Sequence, residues 1–395
     1  MSRHFPDMRS SLKQHWAIVL VVIVSLFLRL NQIERIRVIS DVRRDYQAAL
    51  TMVKGKGMAW MGIPSSVPRF RQGPINVWFD ALAFWSLDSS VFSPPVLAAI
   101  VTTSAVVIFY FFLLRIKISK IIASVTTLVF ATLPQLVTQS RMPFYLFGIP
   151  LATLFFLWSC LNLNNQKRSS IFWVVFALLF LFQWEIATLP FFVVLVFVLM
   201  QRRIKLKENW KIIAGSIFLG LLPQLVYDIT HQCQQICGLA VWSIYRVLAM
   251  SGFDGRHGFV LFSSDFWQLL IGGAGLLFGS NIFFCFFLAI IFITFFLVKP
   301  KVDFILRILL ISCVSLFVGL LIHGEPSEAY FPPFAVLVLA LLARCIDYYH
   351  VRFKNLLIIS LVGIATVNMI TILRNIEAIP RIINSYIYES YQENN

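Results

Sequence analysis

An all-α bundle of membrane-spanning helices is the fold class predicted here, and three observations predict it. Of 395 residues, 59% are apolar and 15% aromatic, while only 13% are charged. Mean hydropathy is +0.82. Apolar runs of membrane-spanning length recur along the whole chain. A water-soluble fold cannot hide so much apolar surface, because much of any folded surface faces water. These features exclude an aqueous enzyme, a disordered scaffold and a nucleic-acid binder. The net charge of +15 is spread in a way that points to lipid headgroups and topology.

A crossing needs roughly 20 apolar residues at 1.5 Å rise each. The spans read as Trp16–Asn31, Pro94–Leu114, Ile121–Val137, Tyr145–Leu163, Ile171–Trp184, Ile186–Met200, Ile212–Tyr227, Asn281–Val298, Phe304–Ile322, Tyr330–Ile346 and Leu356–Leu373. That makes about eleven, within bounds of ten to thirteen. Two stretches are open. Ile171–Met200 is one long helix or two short ones broken near Glu185. Trp267–Val298 carries Gly272, Gly273, Gly275 and Gly279, which kink it, make it re-entrant or simply pack it.

Charge decides the first of these. Lys and Arg crowd the loops at 115–120, 167–168, 202–211, 299–307 and 344–354. All five fall on one side only if Ile171–Met200 crosses twice. Positive loops stay inside, so the N-terminus is expected in the cytoplasm of a multi-pass plasma (inner) membrane protein. Residues 1–374 then form a single domain, with 34–93 as its first extracytoplasmic loop and 375–395 as a short tail on the same side.

That first loop breaks the charge rule by carrying Arg35, Arg37, Arg43, Arg44, Lys54, Lys56, Arg69 and Arg71 outside. Such an excess is either a solvated face or an anion site, for which arginine forks suit phosphate. The loop also reads as structured, with a helix over 46–54 and an amphipathic, aromatic-rich helix over 75–87 lying along the interface.

Acidic residues are few, so their positions inform. Asp41 and Asp45 lie four apart, on one face of a helix, interleaved with Arg43 and Arg44. Asp228 ends a span and His231 follows it. Glu185 marks a break, and Glu325 and Glu328 occupy a tight outer turn. A carboxylate beside arginines at the outer surface suits transfer of a sugar from a polyprenyl phosphate to a hydroxyl. The departing phosphate is already a stable anion, so no protonating acid is required, unlike glycoside hydrolysis. One base for the acceptor proton and cations for the phosphate suffice. Asp41 with Arg44 meets that minimum.

The run Ser40-Asp41-Val42-Arg43-Arg44-Asp45-Tyr46, followed by Gly55, Gly62-Ile63-Pro64 and Gly73-Pro74, resembles the first outer loop of GT-C membrane glycosyltransferases. It is most similar to the protein O-mannosyltransferase-like branch, whose donors are polyprenyl-phosphate sugars. Ser140-Arg141, Gly220-Leu221-Leu222-Pro223 before Asp228 and His231, and Glu328-Ala329-Tyr330-Phe331-Pro332 extend the resemblance over most of the chain. It implies a hexosyl- or pentosyltransferase, expected to invert. The family's catalytic aspartate maps onto Asp41 by its spacing to Gly55, with Asp45 as second choice. Arg43, Arg44, Arg71 and Arg141 are implied for the donor phosphate, and Tyr46, Asp228, His231, Glu325, Glu328 and Tyr330 for substrate. The sequence departs from the family by carrying Val42 where many members have glutamate. The second acidic partner therefore stays open, and so does a divalent metal, since the acidic residues and histidines show no ligand spacing. The expected partners are the lipid-linked donor, a glycan, lipid or protein acceptor, and the bilayer. A transporter or flippase of an amphiphilic substrate, and an O-antigen ligase or polymerase, are the alternatives. Cys233 and Cys237, four apart in an outer loop, are placed to form a disulfide.

Overall fold

A computed structural model describes residues 16–65, 69–87, 89–164, 167–250, 264–323 and 330–381. Among these residues the chain is helical throughout, with one isolated bridge between Pro64 and Arg71. In order, the helices are α1 (Trp16–Leu30), α2 (Ser40–Val53), α3 (Ile75–Leu87), α4 (Ser93–Arg115), α5 (Lys120–Ala131) and α6 (Pro134–Arg141). After them come α7 (Ile149–Asn162), α8 (Arg168–Trp184), α9 (Phe191–Gln201), α10 (Leu206–Gly220), α11 (Leu222–Thr230) and α12 (Gln234–Met250). The chain closes with α13 (Ser264–Phe278), α14 (Asn281–Ile293), α15 (Phe304–His323), α16 (Pro332–Asp347) and α17 (Val351–Glu377).

Four helices (α4, α15, α17 and the segment Asn281–Val298) are long and apolar enough to cross a bilayer. Two bent pairs bring this to six: α5 with α6 at 51°, and α10 with α11 at 64°. The bends sit at Pro134, and at Gly220–Leu221 just before Pro223, where proline removes a backbone donor. The expected eleven would further require the shorter apolar helices α1, α7, α8 and α9, and α16 as well. At the glycine-rich stretch, α13 ends at Phe278 and Gly279 takes φ +90°. Ser280 then caps α14 by accepting from the Ile282 amide at 3.1 Å. The segment is thus two helices meeting at a glycine.

The loops sort to the two ends of the bundle as their charges predict. At one end, Arg115 reaches Asn162, Arg344 pairs with Asp303 at 2.8 Å and donates to the Ile116 carbonyl, and Arg202 lies over Phe304. At the other, Arg141 reaches the chain at 28–35, Gln72 reaches Glu185, and Arg35 donates to the carbonyls of Glu377 and Ile379. Of the segment beginning at 375, the described residues reach the first loop, with Arg381 3.6 Å from Glu34.

Apolar packing offers little net gain inside lipid, so polar contacts bind the spans together. Arg29, fully buried in α1, donates to Thr102 of α4 (2.8 Å), to Ser25 and to the Ala131 carbonyl of α5 (3.0 Å). One guanidinium thereby ties three helices.

Candidate active site in the first loop

The first loop folds as α2 and α3 packed face to face. Val42, Tyr46 and Ala49 of α2 meet Val77, Ala81 and Phe84 of α3. Gly55, at φ +70°, closes α2 in a left-handed turn that side-chain-bearing residues rarely adopt. A short hairpin follows, in which Gly62 and Ile63 pair with Gln72, and it delivers the chain to Gly73. A Cβ on Gly73 would run into the Gln183 side chain and backbone, so only glycine lets the loop approach α8 this closely. Gln72 then donates to both Glu185 carboxylate oxygens at 3.1 Å, locking the loop to the break between α8 and α9. Just below, Gln183 and Gln224 exchange amide hydrogen bonds of 2.6 and 2.9 Å across the α8–α11 seam.

Asp41 lies in the first turn of α2, half-exposed and paired with Arg44 at 3.1 Å. Its carboxylate is therefore reachable. Asp45, one turn on, is covered by α3 and only 3% exposed, and it accepts a 2.8 Å hydrogen bond from Asn76. Burial pushes its carboxyl up to about 6; the Asn76 bond and the charges of Arg44 and Arg71 oppose that rise. Facing it is Asp80, 1% exposed, whose Oδ2 has no hydrogen-bond partner among the described residues. Burial first, and the charge of Asp45 second, raise Asp80 well above the usual carboxylate range. Both buried groups thus hold their protons more tightly than free carboxyls do, Asp80 also because of the charge of Asp45. Sequence reasoning missed Asp80 and Asn76. The signal was present: they stand four apart as the only amide and carboxylate of the otherwise apolar Ile75–Leu87. That helix forms where expected, but Asn76 and Asp80 lie on the face turned inward onto α2, among Val77, Ala81 and Phe84.

The outward face of α3 (Ile75, Trp78, Phe79 and Leu82) forms one wall of an apolar groove of roughly 370 Å³ against α8, α10 and α11. A second apolar hollow of roughly 570 Å³ shares Phe176 and Phe180 with it and continues towards α4 and α7. The groove reaches Gln183, which packs under Gly73, two residues from Arg71. Arg71 itself donates from Nε to the Gly62 carbonyl and from its backbone to Gln235 of α12.

Other expected site residues have structural employment. Arg141 is not free for a phosphate: its two terminal nitrogens donate to the carbonyls of Leu28, Arg29, Asn31, Gln32 and Arg35, capping the end of α1. Tyr46 is buried and packs edge-on against Phe84 at 5.3 Å, within the α2–α3 seam rather than on a substrate surface. Asp228 caps α12 by accepting from the backbone of Gln235 (2.6 Å) and Ile236 (2.9 Å). His231 is exposed and stacks flat on Tyr227 at 3.7 Å. Tyr330 bonds His323 through its hydroxyl at 3.1 Å. Arg43 sits on α2, partly buried beside Arg44. Glu325 and Glu328 lie outside the described residues. Cys233, in the turn before α12, and Cys237, in the first turn of α12, form a disulfide. Among the described residues no group of three or more His, Cys, Asp or Glu gathers to hold a metal.

No protein-family model matches the sequence, and no curated protein matches it. Solved structures match the fold, two states of one protein among them. ArnT from Cupriavidus metallidurans bound to undecaprenyl phosphate aligns over 86% of this chain and 61% of its own, with TM-score 0.56 and 15% identity. The same protein in the apo state aligns over 87% and 61%, with TM-score 0.55 and 15% identity. The chain spans about three fifths of the length of those structures. The O-mannosyltransferase-like branch has no structural counterpart in these two matches. The helical architecture and these alignments show that the chain shares the fold of the two ArnT structures.

Proposed function

We propose that this membrane protein transfers a sugar from a polyprenyl-phosphate-linked donor to an acceptor hydroxyl, at the extracytoplasmic face of the plasma membrane. One observation carries the reading. The first loop holds a reachable Asp41–Arg44 pair, with Asp45 and Asp80 buried one turn behind, on a helix packed against the wall of an apolar groove. One of the aligned structures has undecaprenyl phosphate bound, and the groove here offers an isoprenoid chain an apolar, aromatic wall.

In this scheme Asp41 takes the proton of the acceptor hydroxyl. The freed oxygen bonds to the anomeric carbon from the face opposite the phosphate. The carbon–oxygen bond to phosphate breaks, and polyprenyl phosphate leaves with the bonding pair, inverting the centre. Arg44 and Arg71 balance the phosphate charge, with Arg43 beside them. Asp45 and Asp80, both held toward the protonated form by burial, stand behind Asp41. Tyr330, His231 and the segment with Glu325 and Glu328 remain candidates for the acceptor side.

The test is mass spectrometry of cell-surface glycans from cells with the protein, without it, and with Asp41→Asn. Loss of one hexose or pentose in the last two supports transfer. An unchanged profile in all three removes the reading and favours transport of an amphiphile.

A further inference from the structure

The end of the bundle opposite the first loop has a cavity of its own. It measures roughly 520 Å³ and lies where the C-termini of α4, α7 and α9 converge, lined by Arg115, Asn162, Asn164, Gln201, Arg202 and Arg203. No acidic side chain lines it, and none of the three arginines forms an ion pair among the described residues. Arg115 reaches only the Asn162 side-chain oxygen, at 3.5 Å. The Arg202 guanidinium is held 4.2 Å over the Phe304 ring, and its buried Nε–H has no acceptor.

Two plain uses of these cations are topology and the compensation of helix ends. Three helix C-termini supply about half a negative charge each, about −1.5 in all, against three guanidinium charges. A surplus of about +1.5 remains in a cavity walled by amides, and topology needs no cavity. Trp210, exposed on the adjoining helix α10, is of the residue type that anchors at the level where headgroups meet acyl chains. We propose that this cavity binds a phosphate ester, the headgroup of an anionic phospholipid in the leaflet at that end. The site is independent of the transfer proposed above.

Native mass spectrometry of the full chain in detergent, titrated with phosphatidylglycerol and with phosphatidylcholine, tests it. An arginine near the headgroup plane contributes about fivefold to binding an anionic lipid. The variant R115Q/R202Q/R203Q is therefore expected to bind phosphatidylglycerol about a hundredfold more weakly, with phosphatidylcholine unchanged. The variant K205Q/K207Q/K211Q removes as much charge from the adjoining segment and is expected to bind as the wild type does. Equal loss in both variants, or none in the first, overturns the proposal. If the triple variant fails to fold, Arg203→Gln alone carries the test, with an expected loss of about fivefold. Displacement of the lipid by millimolar inorganic phosphate would identify a soluble phosphate as the occupant of the same anion site.

Discussion

Replacing Asp45 with asparagine is expected to stabilise this protein at neutral pH and to do little in acid. The carboxyl is buried, and its pKa rises from 3.8 to about 6 on folding. A raised acid pKa means that the folded state binds the proton more tightly than the unfolded state. Folding is then favoured below pH 3.8 and penalised progressively as pH climbs through 6. The full penalty is about two pKa units at 1.36 kcal/mol each, or about 3 kcal/mol above pH 7. Near pH 4 it shrinks to about 0.5 kcal/mol. Asparagine carries no charge at any pH, and its side-chain oxygen can still accept from Asn76, so the variant escapes the penalty. Thermal unfolding in detergent, followed by tryptophan fluorescence at about pH 4 and about pH 7.5, reads the difference. Asp45→Asn should raise Tm at the higher pH and leave it nearly unchanged at the lower. A variant that is less stable at both values, or equally stabilised at both, would show that Asp45 is not a charge held at a cost to folding. Such a cost is the mark of groups kept for chemistry.

Further consequences concern the neighbours of that carboxylate. Arg44→Ala is expected to raise KM for the lipid-linked donor by about tenfold, the loss of one charge-assisted hydrogen bond to phosphate, which a donor titration in detergent checks. Arg141→Met removes the cap from α1 and leaves buried carbonyls unpaired. It is expected to lower stability by roughly 3 kcal/mol or more while the donor KM of the folded fraction holds, whereas a phosphate ligand would show the reverse. Gly73→Ala drives a methyl into Gln183 and is expected to destabilise by about 1–3 kcal/mol, read as a fall in Tm.

The all-α membrane class was legible because composition excludes any aqueous fold, and the loop charges separated the two ends before any coordinates did. The break at Glu185 follows from the same charges, and the structure finds Glu185 there as the cap of a short turn, accepting from the Ala187 amide. A helix was legible over 46–54, but the structure starts α2 six residues earlier, at Ser40, so that Asp41 and Arg44 pair within its first turns. What escaped depends on which distant segment arrives. Asp45 and Asp41 share a helix face in sequence, yet α3 covers one and leaves the other open. Arg141 read as a phosphate ligand because its sequence neighbours say nothing of the α1 end it caps. Asp228 likewise serves a helix seven residues on. Asp80 hid inside an apolar stretch whose amphipathicity was assigned to the membrane surface, whereas its polar side faces a partner helix.

The sharpest test of Asp41 as the base is lipid mass spectrometry of cells making either the wild type or Asp41→Asn at equal membrane levels. If Asp41 drives departure of the phosphate, the variant cells accumulate the sugar-linked polyprenyl phosphate and the wild-type cells do not. Identical pools of that lipid in the two strains, with the glycan fully made in both, would contradict it.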